Sequence, residues 1–101
     1  MNTTLALYAN YAIYSAIAVL TLAMLAYALY RSGQLDEAAT LAEKALALGT
    51  KDARIHFHAG AIAKARGRRA ESVRLLEEAL REDPAFDPTE AALARSWLAE
   101  R

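Results

Sequence analysis

Few residues in this 101-residue chain have the type and spacing to do chemistry. His56 and His58 flank Phe57 and invite a metal reading. On a helix, residues two apart point about 200° apart, so the two imidazoles diverge. Two ligands on one helical face would stand at i and i+4 instead. His56 is expected to pack between helices and His58 to sit half-exposed. Lys64, Arg66, Arg68 and Arg69 form a basic cluster around Gly67. It is expected to be a solvated turn balanced by Glu71, Glu77 and Glu78, the alternative being contact with anionic lipid head groups. Glu71 with Arg74, and Glu77 with Arg81, stand at helical neighbour spacings, worth roughly 0.2–0.5 kcal/mol each. No nucleophile is patterned with a base, no glycine loop could cradle a phosphate, and no paired acids have a mechanistic setting. Catalysis, a cofactor and a metal are therefore not expected.

Charge and composition narrow the field further. Twelve basic residues balance twelve acidic ones, which leaves no excess to hold phosphates, so nucleic acid is not an expected partner. Cysteine is absent, which removes disulfides, thiol catalysis and cysteine zinc sites. The balance hides a division: residues 1–30 contain no Asp, Glu, Lys or Arg, yet they hold all five tyrosines. Residues 51–70 sum to +5 and residues 71–101 to −4.

The elements that position these groups read as helices. From Ala53 to Phe86, apolar or small residues recur at Ile55, Ala59, Ile62, Ala63 and Ala65, and then at Val73, Leu76, Ala79 and Leu80. Gly67 interrupts the two runs and is consistent with a left-handed turn. Pro84 stops the second. Asp87, Pro88 and Glu90 read as a helix start, with Asp87 as cap, Pro88 at the first helical position and Glu90 as the box partner.

The charge-free beginning has its own reading. Residues 5–30 would rise about 39 Å as a helix, and a bilayer core is about 30 Å thick. Tyr8, Tyr11 and Tyr14 near one end, with Tyr27 and Tyr30 at the other, suit the two membrane interfaces. Ala9, Ala12, Ala16, Val19, Ala23 and Ala26 form a small-residue stripe suited to close helix packing. The expectation is a single-pass membrane anchor. Arg31, Lys44 and Lys51 after the span favour a cytoplasmic repeat region. A cleaved signal peptide and a helix buried between copies in a soluble oligomer are the alternatives.

The chain also overlays itself when Gly33 is set on Gly67. Ala38 then falls on Ser72, Ala42 on Leu76, and Ala45 and Leu46 on Ala79 and Leu80. Leu25, Ala26 and Leu29 fall on Ala59, Gly60 and Ala63, and after a second such shift on Leu93, Ala94 and Trp97. This period resembles that of the tetratricopeptide repeat, whose paired helices recur about every 34 residues. The resemblance places small residues Gly60, Ala63, Ser72 and Ala79 where paired helices cross, and Pro84 at the family's proline slot. The slot often held by tryptophan carries Leu22 and His56, and Thr50 replaces the first proline. Asn2, Leu5, Ala6, Tyr8 and the run from Tyr14 to Ala26 are in addition similar to the first membrane helix of cytochrome c maturation membrane proteins.

The resemblance implies an all-α helical-hairpin solenoid, to which the charge-free start adds an N-terminal transmembrane-type helix. Its parts are an anchor at 1–30 overlapping the first repeat, repeats at 19–52 and 53–86, and a capping helix at 87–101. It implies a groove lined by the first helix of each repeat. By position that groove holds Tyr27, Tyr30, Arg31, Arg54, Phe57, Ala61, Lys64 and Arg95, extended by Glu90. The slots where some members clamp a terminal carboxylate hold Phe57 and Ala61, so that clamp is not expected. The implied role is a non-catalytic, membrane-anchored adaptor that holds a protein or peptide with acidic and apolar character, or a second copy of itself. The rival is a soluble homo-oligomeric structural protein with residues 5–30 buried between copies.

Overall fold

A computed structural model describes the backbone of residues 3–100, and all side chains within it except those of Leu5, residues 8–13 and Ser15. Five helices follow one another: α1 (Thr3–Arg31), α2 (Leu35–Ala47), α3 (Ala53–Ala65), α4 (Arg69–Glu82) and α5 (Pro88–Ala99). Each packs on the next, and α1 also touches α3 across the stack. The molecule is elongated, 54 Å in its longest dimension.

The turns show why the helices end where they do. Gly33 and Gly67 take positive φ, 85° and 78°, which residues with a Cβ adopt at a cost. Around Gly33, the N–H of Gln34 donates to the Leu29 carbonyl and that of Gly33 to Tyr30. Around Gly67, Arg68 donates to Ala63 and Gly67 to Lys64 in the same way. These paired bonds satisfy the last carbonyls of α1 and α3 and fold the chain back onto itself. The starts of α3 and α5 are capped by aspartates. Asp52 accepts from the Arg54 N–H and Asp87 from the Glu90 N–H, both at 2.9 Å. The expected reciprocal box at α5 is only half made, because the Glu90 carboxylate turns to His58.

Within the second hairpin the helices approach closely. A Cβ built on Gly60 would lie 2.9 Å from Leu76 Cδ2, so only hydrogen fits there. Ser72 Oγ, itself buried, donates to the Gly60 carbonyl at 2.9 Å and pins the crossing. The core is correspondingly rich in alanine. Ala26, Ala38, Ala39, Ala42, Ala59 and Ala63 pack around Ile62 and Leu75 between the two hairpins. A second cluster joins Ala53, Phe57, Leu76 and Ala79 to Ala94 of α5.

The membrane-anchor expectation is not supported. Among the described residues no helix is long and apolar enough to cross a membrane. Packing supplies the reason. Val19 and Ala26 are buried, and Leu22, Ala23, Leu29 and Tyr30 are partly buried against the rest of the stack. Lipid cannot surround that half of α1. The remainder, residues 3–18, would rise only about 24 Å, short of a hydrocarbon core of about 30 Å. The tyrosines divide accordingly: Tyr14 is exposed, Tyr30 packs on the core, and Tyr27 stacks on His58. The side chains of Tyr8 and Tyr11 lie outside the described residues. The small-residue stripe finds its partner inside the chain, because Val19, Ala23 and Ala26 meet the stack. Ala9 and Ala12 of that stripe also lie outside the described side chains.

Candidate functional site

The first helices of the stack, α1 and α3, enclose a groove. A cavity of about 230 Å³ is lined by Leu20, Ala23, Met24 and Tyr27 of α1 and by Arg54, Ile55 and His58 of α3, with Asp52 at its edge. A neighbouring cavity of about 360 Å³ shares Leu20, Asp52 and Ile55 and continues along Ala16, Val19 and Leu48. The lining is mostly aliphatic, with Tyr27, Arg54, Asp52 and His58 as its polar members.

His58 organises one wall. Its ring stacks on Tyr27 with centroids 4.3 Å apart, and its Nε2 lies 3.0 Å from Glu90 Oε2. Tyr27 in turn lies under the Arg31 guanidinium, 5.8 Å from the ring centroid, and accepts a hydrogen bond from it. One polar line therefore runs from Arg31 through Tyr27 and His58 to Glu90, crossing α1, α3 and α5. The other histidine serves a different seam. His56 Nδ1 faces the Asp52 carbonyl at 3.3 Å and Glu82 Oε1 at 2.6 Å. Both are oxygen atoms that can accept from a ring N–H. The buried Glu82 oxygen is close enough for an ion pair but lies outside hydrogen-bond geometry. The contact joins α3 to the end of α4.

The residues expected to line the groove separate into three groups. Tyr27 and Arg54 line the cavity between α1 and α3. Phe57 and Ala61 do not: both are 4 % exposed and belong to the core. The Phe57 ring lies parallel to that of Trp97, centroids 5.6 Å apart, and also meets Phe86. Phe57 thus holds α5 onto α3 and offers nothing to a partner. Tyr30 packs on the core between the hairpins. Lys64 and Arg95 are exposed but engaged. Lys64 lies over the Trp97 ring and 3.7 Å from Glu100, and Arg95 donates to the Pro84 carbonyl.

Part of the basic cluster reaches across the stack. Arg66 meets Asp36 of α2 at 3.2 Å, and Arg69 donates to the Glu100 carbonyl at 2.7 Å. Glu78 pairs with Arg81. The cluster thus reaches acceptors on the helices before and after its own hairpin. Among the described residues no group of three His, Cys, Asp or Glu could hold a metal ion.

Paired helices that recur at a fixed period, cross at small side chains and turn at left-handed glycines define a helical-hairpin repeat protein. Residues 19–62, running from the middle of α1 to near the end of α3, match the family model of the tetratricopeptide repeat. Over that segment the chain is similar to the tetratricopeptide repeat, a helical-repeat class that generally mediates contacts between proteins. No curated protein and no solved structure matches the chain, and the likeness of its first residues to cytochrome c maturation proteins is not confirmed.

His58 is the groove residue to which the sequence assigned no role. Its partners lie about one repeat before it, on α1, and about one repeat after it, on α5. No local pattern joins such positions. The repeat period brings the three first helices side by side, but it does not say which side chains then meet.

Proposed function

We propose that the chain is a non-catalytic scaffold of two tetratricopeptide-like repeats, 19–52 and 53–86, closed by residues 87–101, and that the groove between α1 and α3 seats a protein segment. The carrying observation is the groove itself: an aliphatic lining of Leu20, Ala23, Met24 and Ile55 that also holds Arg54, Asp52 and the Tyr27–His58 stack. Met24 is 71 % exposed there, which leaves a large thioether without cover. Such a site takes an apolar side chain against its aliphatic lining and an acidic neighbour against Arg54. Flexible methionines suit adaptable apolar contacts, and an exposed charge such as Arg54 sets orientation and association rate more than affinity.

The test is binding of a library of short acidic–apolar peptides, followed by fluorescence anisotropy with the wild-type chain, Met24→Glu and Arg54→Glu. Met24→Glu should abolish binding. Arg54→Glu should weaken it and remove its dependence on salt. Peptides that bind all three proteins equally would place the site elsewhere.

A further inference from the structure

Beyond the groove, α1 presents a third face. Leu7, Tyr14, Ile17, Thr21, Leu25 and Ala28 are all exposed. At 100° per residue they fall in one stripe about 80° wide. The stripe lies opposite the side packed on α2 and next to the groove wall. We infer that this stripe is the interface of a two-fold homodimer of the chain.

The repeat itself identifies the stripe as an interface. In the register that sets Gly33 on Gly67, Thr21, Leu25 and Ala28 fall on Ile55, Ala59 and Ile62 of α3. Those three are 7 %, 5 % and 1 % exposed. They are covered from α2, with Ala45 against Ile55, and Ala39 and Ala42 against Ala59 and Ile62. The surface that receives a helix inside the stack is thus repeated on α1 and left open, with Leu25 50 % exposed where Ala59 is buried.

Charge selects the occupant. Residues 1–30 contain no Asp, Glu, Lys or Arg, so a charged side chain laid on the stripe would lose water and gain no partner. The covering surface must be an uncharged apolar helix face. Within the chain, α2 shows Asp36, Glu37, Glu43 and Lys44 to solvent and α4 shows Arg74 and Arg81, while the exposed side of α5 is short and sets Ala92, Leu93 and Ser96 beside Arg95 and Glu100. Among the described residues, the longest uncharged apolar face that a second copy offers is α1 itself. A surface that matches itself gives an isologous pair, and a two-fold across the helix sets the two α1 helices antiparallel. The stripe is centred near Ile17, so the two copies of Ile17 lie close to the axis. Its exposed side chains total on the order of 600 Å² per copy, about 1,200 Å² for the pair, the lower bound of specific interfaces. A patch that size is also at the upper end of what monomers leave open.

The experiment is sedimentation equilibrium and light scattering of the full chain without detergent over a concentration series. A dimer that dissociates near micromolar concentration is expected. Ile17→Glu and Leu25→Glu should each raise the dissociation constant by about tenfold or more, with helical circular dichroism unchanged because both residues are exposed. Leu93→Glu, on the other end of the stack, should leave the dimer intact. Because the chain has no native cysteine, Ile17→Cys should cross-link to itself on oxidation while Leu93→Cys does not. The inference is overturned by a monomer at every concentration, by a dimer indifferent to both glutamates, by failure of Ile17→Cys to cross-link, or by a chain that stays in solution only with detergent or floats with lipid vesicles. Leu25→Glu lies away from the groove and Arg54→Glu lies on α3 away from the stripe, so with this pair the groove and the dimer can fail separately.

Discussion

Replacing Phe57 by alanine separates a groove residue from a core residue. Were Phe57 on the binding face, its loss would weaken partner binding and leave folding alone. The structure puts it 4 % exposed between Trp97 and Phe86, two aromatic neighbours that fix α5 against α3. Truncating a buried Phe removes its transfer free energy and leaves a cavity, about 3–5 kcal/mol together. The lower end applies here, because the site lies at the last interface of the stack and α5 can partly collapse into the space. Against a total stability of about 5–15 kcal/mol, a loss of about 3 kcal/mol leaves the chain folded but visibly weakened. At about 4–8 °C per kcal/mol for a chain of this size, the melting temperature should fall by roughly 12–24 °C.

Trp97 provides the internal reporter, since it is the single tryptophan. With the parallel Phe57 ring gone, its emission should move to longer wavelength and its near-ultraviolet dichroism should weaken before global unfolding. Urea titration followed by Trp97 fluorescence and by helical dichroism should then give two midpoints, with α5 releasing first. An unchanged midpoint and unchanged emission would refute the assignment of Phe57 to the α3–α5 seam.

Three further substitutions probe the frame. Gly60→Leu should destabilise by more than about 3 kcal/mol, beyond ordinary overpacking of about 1–3 kcal/mol, because the buried Leu76 leaves no room; chemical denaturation measures it. Gly67→Ala meets no steric neighbour but forces a Cβ into positive φ, so a loss of about 1–2 kcal/mol is expected by the same measurement. Asp87→Ala removes the cap on α5 and should cost about 1 kcal/mol, seen as faster amide hydrogen exchange confined to residues after Asp87.

Much of this architecture is legible in the sequence because it is periodic. Gly33 and Gly67 mark the same turn twice, and Gly60 and Ser72 announce a close crossing that the hydrogen bond between them realises. The groove is less accessible. Position alone assigns Phe57 to it, yet a side chain at the border between repeats can turn inward when the next helix carries a Trp that meets it. His58 bears no such mark. Its partners depend on how far each hairpin rotates relative to the last, and that rotation comes from packed volumes such as the alanines between α2 and α3. The pairing of Asp36 with Arg66, on successive hairpins, is hidden for the same reason.

The absence of charge in residues 1–30 follows from three demands on one helix. As the first helix of the first repeat, α1 must bury Val19 and Ala26 beneath α2 and α3. As a groove wall, it must keep Leu20 and Met24 apolar. The remaining arc is where an ordinary surface helix would place its charges, as α4 does with Glu71, Arg74 and Glu78. On α1 that arc carries Leu7, Tyr14, Ile17 and Leu25 instead. Burial on one side and a groove on another account for about two-thirds of the circumference. An apolar third side is required only if that side, too, is covered. On the proposed dimer, the length of apolar sequence that resembles a membrane span would have a different physical origin: a helix with a neighbour on every side, one of them supplied by a second copy.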